Sequence, residues 1–351
     1  MMGSLARAQA LAILAALVGL SVAVGLVGYF NVGAVLAAMR PIGPLGFAVV
    51  IAAQLCLFVP LGAAWWLVAP GEPIARAPVF AWGRLMREAA SDVLPFSQLG
   101  GLVIATRAAV LGGASAATAL GASVVDVTIE IVAQLIYTLF GIALLAHRLG
   151  FAAHASPVLS SLLGGLVAAT GLVGLLIVGQ GRALKLGAAL LHRLAPSAGQ
   201  HASAVTAVVD ASYQRIPRLW AGLGLHIFSW FAAAGGTWLI LAFIGRPLPF
   251  SSVAALEGLM FAIRNAAFFA PSGLGVQEGA YALLGPLFGL PAEAALALSL
   301  LKRARDISIG VPVLLSWQLM ESRRRLREAG SGVEGQREFH EGIAERPPSM
   351  D

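Results

Sequence analysis

The sequence predicts an all-α polytopic membrane protein of about six full spans plus two re-entrant helical hairpins, arranged as an inverted repeat. Three observations carry this reading. The 351 residues are 58% hydrophobic and only 11% charged, with a mean hydropathy of +0.85, where soluble domains carry about a quarter charged residues. Several uncharged runs reach the roughly 18 to 20 residues that cross a hydrocarbon core of about 30 Å. Two further apolar stretches are broken by proline and glycine, and each precedes a long helix with ionisable residues at membrane depth.

The first span is Ala8 to Phe30, inside the uncharged stretch between Arg7 and Arg40. Its apolar core is longer than that of a signal peptide, so it reads as a retained signal anchor. The second, Gly46 to Val68, ends in Trp65 and Trp66, whose rings suit the headgroup level. Cys56 lies within it and reads as a small buried residue; as the sole cysteine it forms no intramolecular disulfide. Pro70, Gly71 and Pro73 break the chain, and Arg76 to Asp92, with Arg84 and Arg87, reads as an interfacial helix on the basic side of the bilayer.

Val93 to Val110 is punctuated by Pro95, Gly100, Gly101 and Arg107. Irregular backbone at membrane depth survives only where protein buries it or a wet cavity solvates it, so this is the first re-entrant hairpin. Ala114 to Leu145 follows as a long helix, and Val158 to Val178 as a clean span. Gly181 to Arg218 is polar and basic, which places it in the cytoplasm. Leu219 to Ile244 spans again. Ser251 to Leu290 repeats the broken pattern through Pro271, Gly273, Gly275, Gly279, Gly285 and Pro286, and Ala292 to Met320 is the last long helix, closed by Arg323, Arg324, Arg325 and Arg327.

These bounds give an integral membrane domain over residues 1–328. Its repeat halves cover approximately 43–180 and 218–320, joined by a cytoplasmic loop at 181–217. Residues 329–351 are polar and rich in Gly and Glu and read as a disordered cytoplasmic tail. Both termini are expected in the cytoplasm.

Shifting the chain by 176 residues lays Pro95 on Pro271, Gly113 on Gly289, Ser123 on Ser299, Asp126 on Lys302 and Glu130 on Asp306. The loop charges make the two hairpins enter from opposite faces, so the halves are inverted. Inverted repeats with broken helices at the midplane are a recurring plan of secondary transporters. The lesser alternative on hydropathy alone is an eight-span bundle in which both hairpins are ordinary short helices.

Asp126 and Glu130 are four apart and share a helix face, continued by Gln134; Lys302 and Asp306 do the same on the last helix, with Arg305 beside them. A charge at the bilayer centre costs at least about 2.5 to 3.5 kcal/mol on insertion scales, so these side chains face inward and find partners. The expectation is that Asp126 and Glu130 lie close to Lys302 and Arg305, either as a structural lock between the halves or as groups that bind a headgroup or couple a proton. Arg107, Arg264 and Glu278 flank the hairpins; an arginine at a cavity mouth suits phosphate or carboxylate, and snorkelling to headgroups is its ordinary alternative.

Several function classes are excluded. Arg and Lys are dispersed between apolar spans and form no nucleic-acid platform. Gly273 to Gly279 has the wrong spacing for a dinucleotide fingerprint, and no GxSxG, HExxH or Walker A motif occurs. The six histidines are scattered, so neither metal nor cofactor is expected, and the chain reads as no enzyme.

Pro271-Ser-Gly-Leu-Gly-Val-Gln-Glu-Gly279 resembles the Pro-Gly-Gly-x-Gly-x-x-Glu signature of the lysylphosphatidylglycerol synthase transmembrane-region family. Leu94 to Gly101, Val124 to Glu130 and Ser299 to Asp306 are similar to its hopanoid-biosynthesis-associated branch, and the resemblance covers roughly residues 8–325. Ser272 departs from the glycine usual in the family. The resemblance implies a multi-pass protein of the bacterial inner membrane, related to the lipid-flipping half of bifunctional lysylphosphatidylglycerol synthases. The aminoacyl-transferring domain has no counterpart, so lysyl transfer from tRNA is not expected.

The expected function is a lipid transporter or flippase linked to hopanoid biosynthesis or transport. Its partner would be a membrane lipid, hopanoid or phospholipid, with proteins of the hopanoid pathway beside it. The rival is a membrane-embedded enzyme or accessory subunit that modifies or positions a hopanoid precursor.

Overall fold

The computed structural model describes residues 32–93, 97–149, 196–267 and 273–344, with scattered helical positions between 17 and 29 and between 160 and 186. Most of the span expected at Ala8–Phe30 and about half of the one at Val158–Val178 lie outside the described residues, as do Pro95, Pro271 and Ser272.

Among the described residues all regular structure is helical. The α-helices are α1 (Val32–Met39), α2 (Gly43–Leu67), α3 (Ala77–Val93), α4 (Ser97–Leu111), α5 (Ala116–Leu149), α6 (Pro196–Tyr213), α7 (Ile216–Phe243), α8 (Phe250–Ala266), α9 (Val276–Leu284) and α10 (Ala292–Ala344). Three stretches are long and apolar enough to cross a membrane by length and composition: Val32–Leu67, Ala116–Leu149 and Ile216–Phe243. α10 falls short of that standard because Lys302, Arg303, Arg305 and Asp306 interrupt it.

The order long, short, short, long occurs twice, as α2-α3-α4-α5 and α7-α8-α9-α10. α3 and α8 have 17 residues each and so rise about 25 Å, less than a hydrocarbon core of about 30 Å. Each is joined through a short break to the still shorter α4 or α9 and packs against it, which makes a helical hairpin. The second hairpin has the expected place. The first does not: its leading arm is Ala77–Val93, the segment expected to lie as an interfacial helix. Phe80, Arg84, Met86, Ala89 and Ala90 of that arm are buried, because carboxylates on α5 receive its arginines and α2, α4 and α10 cover its apolar face.

The halves exchange contacts. α3 packs on α10 of the second half and α8 packs on α5 of the first, whereas the trailing arms α4 and α9 lie on the long helices of their own halves. Small residues permit the close crossings. A Cβ on Gly258 would lie 2.9 Å from the carbonyl oxygen of Tyr137, and one on Gly141 would lie 2.9 Å from that of Ala255, so α5 and α8 approach through reciprocal glycines.

Two local expectations change, at Trp65 and at Cys56. Trp65 is buried edge-on against Phe80, with ring centroids 5.0 Å apart, and serves the core of the first half, not the headgroup level. Cys56 is exposed. The loop at 181–217 contains α6, which packs on α5; Ser212 donates to the Val68 carbonyl at 2.7 Å. α10 carries helical backbone to Ala344, through a stretch holding Glu, Gln and Arg, which are good helix formers.

Candidate functional site

Each half buries one ion pair at the same place in its helix order. Arg84 is the eighth residue of α3 and Glu257 the eighth of α8; Asp126 is the eleventh of α5 and Lys302 the eleventh of α10. The first pair is Arg84 with Asp126, 3.6 Å apart; the second is Glu257 with Lys302. Polarity is reversed between the halves, and all four residues are at most 4% exposed.

The first pair belongs to a larger network. Arg84 is bound to both Glu130 carboxylate oxygens and lies 3.0 Å from Glu88; Arg87 lies 2.9 Å from Glu130. His226 of α7 meets the other side of Asp126, Nε2 to Oδ1 at 2.9 Å. The expected closeness of Asp126 and Glu130 to Lys302 and Arg305 is therefore corrected. Charged side chains on the hairpin arms α3 and α8 pair with the long helix of their own half, and the second half reaches Asp126 through His226 of α7 instead of through Lys302 or Arg305. Arg305 pairs with its neighbour Asp306 at 2.7 Å.

The hairpins meet at their ends. Arg264, near the end of α8, donates to Asp92, near the end of α3, at 2.7 Å. The adjacent Asn265 donates through Nδ2 to the Gln134 side-chain oxygen at 2.7 Å. Beside these contacts lies a cavity of about 330 Å³. Its polar wall holds Arg84, Arg87, Glu88, Glu130, Gln134, Arg264 and Asn265; its apolar wall holds Leu57, Phe58, Leu61, Ile131, Trp230 and Phe261. Both halves contribute to it. Three guanidinium groups face it against two carboxylates, and Nε of Arg84 and Nε of Arg87 have no partner among the described residues.

Of the expected site residues, Glu130, Gln134 and Arg264 line this cavity, and Asp126 stands behind it on Arg84. Lys302 does not line it; its Nζ lies 5.4 Å from the centroid of the Phe261 ring, which does. Arg107 lies apart, 41% exposed and paired with Glu321 at 3.1 Å. Glu278 serves the second hairpin: it is fully buried, accepts from the Gly275 N–H at 2.9 Å and binds Arg303 at 2.9 Å. Gly273 and Gly275 have φ of +61° and +75°, a backbone that favours glycine. Gly101 is where α4 leans on α3, facing Ser91 and Arg87, while a Cβ at Gly279 would meet nothing within 4 Å.

Sequence reasoning missed Arg84, Arg87, Asp92, His226, Glu257 and Tyr281 as site residues. Glu257 had a signal, being the one charged residue between Arg246 and Arg264. Among the described residues no three of His, Cys, Asp and Glu are grouped to hold a metal ion.

Helices of membrane length, two hairpins tied end to end and an ion-lined cavity between exchanged halves define a polytopic α-helical membrane protein built on a repeat. The family model for the lysylphosphatidylglycerol synthase TM region matches residues 10–313. The chain belongs to that family, and membership suggests a function concerned with membrane lipids. No curated protein and no solved structure matches the chain.

Proposed function

We propose that the protein is a lipid transporter or flippase of the bacterial inner membrane, and no enzyme, with the cavity between the hairpins receiving the polar headgroup. The supporting observation is the cavity itself, amphipathic and built by both halves where Asp92 and Arg264 join the hairpin ends. Ligand sites of this kind combine an apolar lining with a few placed polar groups. A headgroup enters against Arg84 and Arg87, whose Nε donors are unpartnered, while Trp230, Phe261 and Leu57 cover the first carbons of the tails.

Glu130 bridges the two arginines and yields one of them to an anionic or hydroxyl-bearing headgroup. Inversion of the halves gives each hairpin one face of the membrane to close, with both termini in the cytoplasm. The lipid is a phospholipid or a hopanoid, the latter following the hopanoid-branch resemblance of Leu94–Gly101 and Ser299–Asp306.

The test is reconstitution of the purified chain in liposomes with fluorescent phospholipid and hopanoid probes in one leaflet. Protein-dependent transfer of at least one probe, slowed by Arg87→Gln and by Glu130→Gln, is expected. No transfer of either probe by folded protein overturns the proposal.

A further inference from the structure

The headgroup cavity leaves the second buried ion pair unused. Glu257 is 1% exposed. One of its carboxylate oxygens accepts from the Tyr281 hydroxyl and the other from Lys302 Nζ. Lys302 Nζ also lies 2.7 Å from the Tyr281 hydroxyl and 3.3 Å from Thr237 Oγ1, and it sits near the Phe261 ring at 5.4 Å.

The groups facing this cluster are few. α5 supplies Tyr137, whose buried hydroxyl has no partner among the described residues. α9 supplies Tyr281, α7 the non-titrating Thr237, and α10 supplies Lys302, Arg305 and Asp306. Arg305 is already bound by Asp306.

Two features distinguish the cluster from a simple structural bridge. The equivalent pair in the first half is surrounded by spare charges, Glu88, Arg87, Glu130 and His226, so loss of one leaves others to compensate. Here one carboxylate faces one ammonium, and adding a proton to Glu257 changes the net charge of the Glu257–Lys302 pair from zero to plus one. The second feature is Phe261. Its ring forms part of the cavity wall, packs edge-on to Trp230 of the same wall with centroids 4.8 Å apart, and has the Lys302 ammonium 5.4 Å from its centroid. A change in charge at the pair thus acts directly on the wall against which a lipid rests.

We propose that Glu257, with Tyr281 and Lys302, is a proton-loading site that couples lipid movement to a proton gradient. The proposal rests on the transport reading above. A proton from water adds to a Glu257 carboxylate oxygen and makes the neutral acid; the hydrogen bond with Tyr281 persists and the ion pair with Lys302 is lost. The uncompensated ammonium is drawn onto the Phe261 face and shifts the cavity wall. Return of the proton to water on the other side of the membrane restores the carboxylate and the ion pair.

The experiment uses the full chain in liposomes holding a fluorescent phosphatidylglycerol probe, with and without an imposed pH gradient. Infrared difference spectra of the same protein between acidic and neutral pH are recorded beside it. A gradient of one sign is expected to speed wild-type transfer severalfold and the opposite sign to slow it. Glu257→Gln, which leaves Lys302 without its carboxylate as the loaded state does, should transfer at one rate whatever the gradient and lack the carbonyl band of a protonated carboxyl group seen in the wild type. If Glu257→Gln does not fold, Tyr281→Phe, which keeps the ion pair, should show a weakened gradient response. Wild-type transfer that ignores the gradient, or a Glu257→Gln protein that still follows it, overturns the proposal. If no lipid moves at all, the transport reading and with it the coupling fail, and the infrared band still reports whether Glu257 takes up a proton.

Discussion

Arg264 bonds to Asp92 at 2.7 Å, and this contact ties the end of the second hairpin's leading helix to the end of the first. The two side chains are 18% and 21% exposed, sheltered but not sealed. The leading helices of both hairpins end near this point, at Val93 and Ala266, so the pair fixes the distance between the hairpins and the width of the cavity beside it.

Neutralising either partner should loosen that join. Asp92→Asn and Arg264→Gln are each expected to lower Tm in detergent, and the charge-exchanged Asp92→Arg/Arg264→Asp protein to recover much of the loss. A coupling energy of about 1 kcal/mol or more from the double-mutant cycle is the expected value. Additive effects would show that the two residues act independently.

Glu278 should matter more than its place outside the cavity implies. It is fully buried, caps the start of α9 at Gly275 and compensates Arg303. Removing one member of a buried pair costs about 3–5 kcal/mol because the other charge is left uncompensated. Glu278→Gln is therefore expected to give a large fall in Tm, read by thermal unfolding in detergent.

Gly258 tests the crossing of α5 and α8. A side chain there would press on the Tyr137 carbonyl oxygen at 2.9 Å. Gly258→Val should destabilise by about 1–3 kcal/mol through overpacking. The same substitution at Gly279, where nothing lies within 4 Å, should cost less; equal losses at the two sites would contradict the packing account.

Arg107 supplies the contrast among the charged residues. It is 41% exposed in its pair with Glu321, and exposed pairs contribute about 0–1 kcal/mol. Arg107→Gln should leave both Tm and lipid transfer close to wild type.

The parts of this molecule legible in the sequence are those set by local chemistry. Gly43–Leu67, Ala116–Leu149 and Ile216–Phe243 are apolar runs of membrane length, and Gly273 and Gly275 mark the break before α9. The leading arm of the first hairpin was not legible, because Arg84 and Arg87 look interfacial until Glu130, on a helix more than forty residues away, compensates them. Pairing failed for the same reason. Asp126 and Lys302 are oppositely charged and equivalent in the repeat, which makes them attractive partners on paper, yet each is met by a hairpin residue of its own half. Which helix lies across from a charge is fixed by packing, and no spacing along one helix records it.

The central claim is that a lipid headgroup occupies the cavity between the hairpins, and filling that cavity tests it most directly. Ala233 lines it on α7 and carries no charge, so Ala233→Trp adds bulk without breaking an ion pair. Initial rates of transbilayer transfer of fluorescent lipid are measured in liposomes for wild type and for Ala233→Trp protein of matched Tm. The account predicts that the variant slows transfer by an order of magnitude or abolishes it; a folded variant that transfers lipid as fast as the wild type contradicts it.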